Sequence, residues 1–282
     1  MIKHFFEDAN ARIPSNDHAP KAIIAPHAGY VYSGANAALA YARLKPAAKT
    51  IKRVVLLGPS HKVSLKGVAL SSANAFATPL GEIPIDYNGA QQIIDLPQVQ
   101  VSDKCHAEEY SLEVQLPFLQ VVLDQFKVLP VVVGDCPPFQ IAEILDILWG
   151  GSETLIVISS DLSHFMDYNS ARDLDDVTAH AIETMSPENI NDNQACGRHP
   201  LKGFLALAKQ RNLHVKTLEL CNSGDTTGIK AKVVGYGSWA FFEQVDFEAK
   251  THALLNEHGK TLLKLAAQSI QHGLTTDLPL AF

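Results

Sequence analysis

The sequence predicts an α/β fold with a mostly parallel central sheet that is flanked by helices on both faces. Four apolar runs occupy residues 21–27, 53–61, 128–135 and 154–161, and none of them alternates apolar with polar residues. Unbroken runs of this length are typical of strands that are covered on both faces. Helix-forming segments separate the runs, and parallel neighbours need such crossover connections.

The first two runs and the segments after them predict one strand–helix–strand unit followed by an insertion. Residues 28–34 predict a loop bounded by glycines, and residues 35–44 predict a helix that returns to the second strand. Residues 67–86 contain short strand patterns separated by turn residues, which predict a hairpin insertion. Residues 88–94 predict a short helix.

The second half of the chain continues the alternation. Residues 108–126 predict a longer helix with a leucine stripe, which Pro117 kinks or divides before the third strand. The remaining predicted elements are helices at residues 139–149, 173–185 and 201–211 and strands at residues 214–220 and 231–242.

The domain organisation follows from where this pattern ends. We predict one α/β domain at residues 1–245 and a C-terminal helical extension at residues 246–282. The extension contains one amphipathic helix with no partner of its own. It either docks on the sheet domain or opens a further domain.

Composition excludes several classes of function. The net charge is −7 and no cluster of lysine and arginine offsets it, so we expect no nucleic-acid partner. No apolar stretch reaches the ~20 residues that cross a bilayer, and the N-terminus lacks the pattern of a signal peptide, so we expect a cytoplasmic protein without membrane contact. The four cysteines form no C-x-x-C pair, which argues against a disulfide framework and a zinc ribbon.

Chemically active side chains follow the apolar runs at the points where the runs end. They are His27, His61, Asp135, Asp161 and His164. Ligands of open α/β sheets bind outside the carboxyl ends of the strands, so we expect these five side chains to converge on one crevice.

Two of the histidines predict a metal site. His27 and His61 are each held by a proline-containing turn, and rigidly held imidazole pairs suit a metal ion, although a lone strand-end histidine more often bonds a backbone carbonyl. Cys196 is the candidate third ligand, because it precedes a predicted helix whose N-terminal field favours a thiolate. The alternative for Cys196 is a buried, inert thiol. A His/His/Cys set suits iron, copper or zinc and disfavours magnesium and calcium.

Two further residues are candidates for proton transfer. Asp161 and His164 lie three positions apart, so the carboxylate can orient an imidazole that acts as general acid or base. The structural alternative is that Asp161 caps the following turn. A rival chemistry pairs Cys196 with His164 or His199 as nucleophile and base, without a metal.

The candidate substrate pocket includes Tyr30, Glu113, Arg198 and His199. Arg198 and His199 adjoin Cys196 and offer a cation and an imidazole to an anionic group. Glu113 can reach the crevice from a neighbouring helix, although an exposed glutamate is the more common case.

Several strings together resemble the Memo family, known in bacteria as AmmeMemoRadiSam system protein B. They are Ala-Pro-His-Ala-Gly-Tyr at 25–30, Gly-Pro-Ser-His at 58–61, Tyr-Ser-Leu-Glu-Val-Gln-Leu-Pro-Phe at 110–118, Ser-Ser-Asp-Leu-Ser-His at 159–164 and Cys-Gly-Arg-His-Pro at 196–200. The resemblance implies a class III extradiol dioxygenase-like fold. It places His27, His61 and Cys196 at the family's metal ligands, with Asp161 and His164 lining the same pocket.

The resemblance also implies a cofactor and partners. It implies a mononuclear metal, with iron or copper favoured and zinc as an alternative, and a redox activity. The dioxygenases use two histidines and a carboxylate, so a cysteine in the third place counts against ring cleavage. Residues 255–266 resemble the first helix of an AMMECR-type domain, which implies a truncated second domain and AMMECR-type and radical-SAM partner proteins.

The sequence therefore predicts a metal-binding protein with iron- or copper-dependent redox activity on a small molecule. One alternative is a non-enzymatic module that binds a peptide or another ligand in the same crevice. A second alternative is a zinc- or cysteine-dependent hydrolase. Peptide binding that survives chelation would favour the first alternative, and turnover that stops on alkylation of Cys196 would favour the second.

Overall fold

Strands and helices alternate through the part of the chain that the structure describes. The structure is a computed structural model that describes residues 1–12 and 18–244. Its strands are β1 (Ala22–Ala25), β2 (Arg53–Pro59), β3 (Val68–Leu70), β4 (Ala75–Thr78), β5 (Gly81–Pro84), β6 (Val99–Val101), β7 (Lys127–Val133), β8 (Thr154–Ser159), β9 (His164–Met166), β10 (His214–Asn222) and β11 (Val233–Phe242). Its α-helices are α1 (Ile2–Ala11), α2 (Tyr30–Ala42), α3 (Tyr87–Ile93), α4 (Asp103–His106), α5 (Tyr110–Glu113), α6 (Leu116–Val122), α7 (Pro138–Ile147), α8 (Tyr168–Glu183), α9 (Arg198–Gln210) and α10 (Ser223–Thr227).

The central sheet is mixed and its middle is parallel. Its strand order is β10-β11-β1-β8-β2-β7-β3-β6, with β9 paired to β11, and β4 and β5 form a separate hairpin. The neighbours β1, β8, β2 and β7 are all parallel, whereas β11 and β3 join this block antiparallel. The four parallel strands are the four apolar runs, so the predicted α/β fold is confirmed.

Helices cover both faces of the parallel block. Along β1, Ala22 and Ile24 belong to one hydrophobic cluster, whereas Ile23 and Ala25 belong to the other. Helices α7, α8 and α9 contribute to the first cluster, and α1, α2 and α6 contribute to the second. Because both sides of each central strand are buried, the strands need apolar residues at every position, which explains the unbroken runs.

The register of the parallel strands brings their carboxyl ends to one edge. Ala25 of β1 lies opposite Ser159 of β8, and Leu57 of β2 lies opposite Ile158. The residues that follow these three strands therefore emerge side by side at the same edge of the sheet.

Helix α2 begins earlier than the sequence pattern predicts. Residues 28–34 are expected to form a loop, but the helix starts at Tyr30 with Gly29 as its N-cap, so that expectation is wrong from Tyr30 onward. A Cβ atom at Gly34 would lie 2.5 Å from Cε2 of Phe5 in α1. The glycine that indicates a loop in the sequence therefore permits two helices to approach closely.

The longer helix predicted at residues 108–126 is divided. It forms α5 and α6, with a break at Val114 and Gln115, and Pro117 lies in the first turn of α6. Proline is well accommodated in a first turn because its missing N–H has no partner there. Pro117 therefore correctly indicates a divided helix, but the break lies before the proline, at Val114 and Gln115.

Five elements were not predicted from the sequence. They are the helices α1, α4 and α10 and the strands β6 and β9, and the two strands have three residues each. Strands of that length show no measurable periodicity.

The C-terminal prediction concerns residues 246–282, which lie outside the described residues. A compact unit spans Met1–Glu243. The proposed boundary near residue 245 and the predicted helix after it stay predictions. Within the described ranges, no helix is both long enough and apolar enough to span a membrane.

Candidate metal centre

His27 lies at the carboxyl end of β1, where hydrogen bonds hold both its backbone and its ring. Asp161 Oδ1 accepts the backbone N–H of His27 at 2.7 Å and that of Ala28 at 3.2 Å. Nδ1 of the ring lies 2.9 Å from Oγ of Ser159. Burial lowers the pKa of His27, so the ring is neutral at pH 7.

His61 follows β2 and is held by Glu109, the N-cap residue of α5. Glu109 Oε2 accepts the backbone N–H of His61 at 2.6 Å, and Oε1 lies 2.9 Å from Nδ1 of the ring. Burial alone would raise the pKa of Glu109, but the hydrogen bonds from His61 and Ser111 outweigh burial and lower it to about 2. The ionised carboxylate only accepts hydrogen bonds, so Nδ1 carries the proton and Nε2 keeps its lone pair for a ligand.

Cys196 lies in the loop before α9, and its sulfur faces His27. Sγ is 3.2 Å from Nε2 of His27, and Sγ accepts the backbone N–H of Asp161 at 3.3 Å. Burial, with a smaller contribution from the Asp161 carboxylate, raises the pKa of the thiol well above its usual range. The expectation that the helix field favours a thiolate is therefore wrong for the free side chain, because desolvation dominates.

The three side chains form a group that can hold one metal ion. Nitrogen atoms of His27 and His61 and the sulfur of Cys196 all lie within 4.8 Å of one another. Bonds of about 2.0 Å to nitrogen and about 2.3 Å to sulfur, at a tetrahedral angle, put N and S about 3.5 Å apart. The observed 3.2 Å between Nε2 of His27 and Sγ is close to that separation, so the residues fit a metal.

Asp161 and His164 lie beside this group. Oδ2 of Asp161 is 3.9 Å from Nε2 of His27, whereas Oδ1 is used by the two backbone N–H groups. Nδ1 of His164 is 2.8 Å from the carbonyl oxygen of Leu162, so Nδ1 donates and Nε2 is a free acceptor. Phe165, the next residue, is exposed and has a φ of 61°, a conformation that non-glycine residues rarely adopt.

A cavity of about 660 Å³ adjoins Cys196 and His164. Its apolar wall comes from β9, α8 and the residues before them, and its polar wall comes from the loop that ends at Cys196. The lining residues are Leu162, His164, Met166, Leu174, Val177, Asn191, Asp192, Asn193, Gln194, Ala195 and Cys196. This volume is in the range of small-molecule sites.

Tyr30 and Glu113 lie on the α5–α6 side of the metal group. The hydroxyl of Tyr30 donates to the carbonyl oxygen of Val114, and its ring contacts Phe118 edge-on. Glu113 is exposed and lines a different cavity of about 360 Å³. Their assignment to the substrate pocket stays a prediction.

Arg198, His199 and Asp135 lie on the α9 side of the metal group. Arg198 forms an ion pair with Asp192 at 3.0 Å. Burial, with a smaller effect of Arg198, lowers the pKa of His199, whose ring bonds the backbone of Cys136. Asp135 is exposed, and its backbone oxygen accepts a hydrogen bond from the backbone N–H of Gly67. The imidazole that contacts Cys196 is thus that of His27, and no contact in the described residues pairs Cys196 with His199.

Three residues that hold the ligand rings were not predicted from the sequence. Glu109 and Tyr110 contact His61, and the two rings of Tyr110 and His61 stack at 5.1 Å with planes 3° apart. Ser159 contacts His27. The predicted helix at residues 108–126 includes both Glu109 and Glu113, and the candidate chosen from the sequence was Glu113, one helical turn after Glu109.

Comparisons with known proteins show the family to which the chain belongs. The family model described as "Memo-like protein" matches residues 1–240. A "MEMO1 family protein" of Aquifex aeolicus is 35% identical over 238 residues, which cover 79% of this chain and 86% of that protein. A "MEMO1 family protein" of Sulfolobus acidocaldarius is 33% identical over 78% of this chain and 81% of its own length. The "Protein memo-1 homolog" of Caenorhabditis elegans is 29% identical over 86% of this chain and 77% of its own length. The chain therefore belongs to the Memo family, with which the class III extradiol dioxygenase-like fold is consistent.

Proposed function

We propose that this protein binds one iron or copper ion at His27, His61 and Cys196 and uses it for redox chemistry on a small molecule. The observation that carries the proposal is the convergence of two imidazole nitrogens and one thiol sulfur within 4.8 Å. Imidazole and thiolate ligands together suit iron, copper and zinc. A bound iron or copper ion would supply one-electron redox chemistry and an open coordination position.

Metal binding has to overcome the raised pKa of Cys196. The buried thiol keeps its proton at pH 7 when it is free, so the proton leaves only when a cation replaces it. Asp161 contributes a second negative charge nearby, which disfavours a lone thiolate and favours a cation at this position. The environment of Cys196 therefore suits a metal ligand better than a free nucleophile.

Asp161 and His164 are the groups that would move protons for a bound substrate. Oδ2 of Asp161 and Nε2 of His164 accept no hydrogen bond from the described protein, and both lie beside the ligand set. Each can take a proton from a substrate that lies close to Cys196.

The cavity beside Cys196 supports a small, uncharged substrate. Among the described residues, its only acidic or basic lining side chain besides His164 is Asp192, which is paired with Arg198. Leu174, Val177 and Met166 would cover an apolar part of the ligand.

The test is a redox titration of protein that has been loaded anaerobically with iron or copper. We expect one ion per chain and a reversible one-electron change with dithionite and ferricyanide, monitored by electron paramagnetic resonance. Cys196→Ser should shift the potential and the spectrum, because it removes sulfur from the ligand set, whereas Cys136→Ser should not. Exclusive binding of zinc, or a metal signal that is identical in wild type and Cys196→Ser, would contradict the proposal.

The hydrolase alternative receives less support. A cysteine nucleophile needs a lowered pKa, and the pKa of Cys196 is raised.

The ligand-binding alternative is favoured by one observation, the exposed aromatic ring of Tyr110 stacked on His61. Peptide binding that is unchanged by chelation would favour that alternative.

A further inference from the structure

A chain of buried hydrogen bonds extends behind His27, away from the ligand position. Nδ1 of His27 lies 2.9 Å from Oγ of Ser159, which lies 2.8 Å from Nε2 of Gln115. The side chain of Gln115 continues to the hydroxyl of Tyr41 at 2.7 Å, and Ser159 also contacts the carbonyl oxygen of Ser111 at 2.6 Å. Ser111, Gln115 and Ser159 are fully buried, as is Tyr41. Every donor in this chain must therefore be matched within the protein.

The carbonyl oxygen of Pro26 fixes the orientation of the Gln115 amide. Nε2 of Gln115 is 3.0 Å from that oxygen, which can only accept a hydrogen bond. The NH₂ end must therefore face Pro26 and Ser159, and the oxygen end must face Tyr41, whose hydroxyl donates to it. The opposite orientation would place two oxygens against each other.

The hydrogen-bond count at Ser159 then decides where the proton of His27 lies. A serine hydroxyl has one hydrogen and two lone pairs. The hydrogen goes to the carbonyl oxygen of Ser111, and one lone pair accepts from Gln115. Only a lone pair is left for His27, so Nδ1 of His27 must be the donor. Nε2 then carries the lone pair, and it is the atom that faces Sγ of Cys196 at 3.2 Å.

We infer that Ser159 and Gln115 are positioning residues that keep His27 in the Nδ1–H tautomer, with Nε2 directed at the metal. The inference rests on the proposed metal site and deepens it. The two ligand histidines are held by different chemistry, since a carboxylate orients His61 and a neutral hydroxyl orients His27.

The direct test is nuclear magnetic resonance of protein with ¹⁵N-labelled histidine, first without metal and then with ¹¹³Cd²⁺. We expect the proton of His27 on Nδ1 in both states and coupling of ¹¹³Cd to Nε2. A proton on Nε2, or cadmium coupled to Nδ1, would overturn the inference. A wild type that binds no cadmium would refute the proposed function, and the tautomer in the metal-free protein would still show whether Ser159 sets the ring.

Variants test the role of each residue in metal affinity. Ser159→Ala should weaken Co²⁺ binding by about 10- to 100-fold, as loss of a ligand-orienting partner does. Gln115→Met should weaken Co²⁺ binding less, because Ser159 can still accept from His27. Ser238→Ala is the matched control, because Ser238 is equally buried and its hydroxyl has no partner in the described structure. An affinity of Ser159→Ala within twofold of that of Ser238→Ala, both being folded by circular dichroism, would overturn the inference.

Discussion

Substitution of Glu109 should weaken metal binding in proportion to the hydrogen bonds that it removes. Glu109 Oε1 faces both Nδ1 of His61 and the backbone N–H of Ser111, and Oε2 accepts the backbone N–H of His61. In Glu109→Gln one oxygen can still orient the ring, but the carboxylate charge and the bond to the His61 backbone are lost. In Glu109→Ala all three bonds are lost.

Removal of a ligand-orienting partner typically costs 10- to 100-fold in metal affinity, which corresponds to about 1.4–2.8 kcal/mol. We therefore expect about a tenfold loss for Glu109→Gln and about a hundredfold loss for Glu109→Ala. The assay is competition for Zn²⁺ against a chromophoric chelator at pH 7. Glu113→Gln is the control, because Glu113 lies one helical turn away and is exposed. Equal affinities of Glu109→Ala and wild type, or an equal loss in Glu113→Gln, would refute this reasoning.

Three predictions concern the stability of the fold. Burial raises the pKa of Asp175 to about 6, so the native state binds the proton more tightly than the unfolded chain does, and the free energy of unfolding falls as pH rises from about 4 to 6. In urea unfolding, Asp175→Asn should remove this decrease of about 3 kcal/mol. A difference between the variant and wild type that does not change with pH would contradict this. Gly235→Ala should destabilise the folded protein by about 1–3 kcal/mol or more, because the added Cβ would lie 1.9 Å from Oδ2 of Asp175. Gly29→Ala is the control and should change the melting temperature little in thermal unfolding. Equal melting temperatures of the two variants would count against this. Lys21→Met should lower the free energy of unfolding by about 1–3 kcal/mol, because the ammonium of Lys21 donates to three buried or half-buried carbonyl oxygens within 2.9 Å. An unchanged unfolding midpoint would show that those carbonyls need no partner.

The edge of the sheet where the site lies could be predicted from the sequence because strand ends are set by the pattern of burial. His27 follows one unbroken apolar run, and Asp161 follows another. In parallel strands the register places such residues side by side, and Ala25 indeed lies opposite Ser159. That His27 and Asp161 lie at the same edge therefore follows from the fold class, whereas their contact also requires the strand order that places β1 beside β8.

The residues that orient the ligands could not be predicted in this way. Glu109 and Glu113 occupy the same face of a predicted helix, and only the observed start of α5 at Tyr110 shows that Glu109 is its N-cap. Ser159 and Gln115 are 44 residues apart, and no periodicity relates a residue at a strand end to one between two helices. Such contacts depend on how the α5–α6 segment packs across the edge of the sheet.

The most direct test of the metal site is the metal content of protein purified anaerobically, measured by elemental analysis for wild type and Cys196→Ala. Cys136→Ala serves as the control, because Cys136 is buried outside the ligand group. If His27, His61 and Cys196 hold the ion, wild type and Cys136→Ala contain about one equivalent of metal, and Cys196→Ala loses most of it. Equal metal in all three proteins would contradict the proposed site.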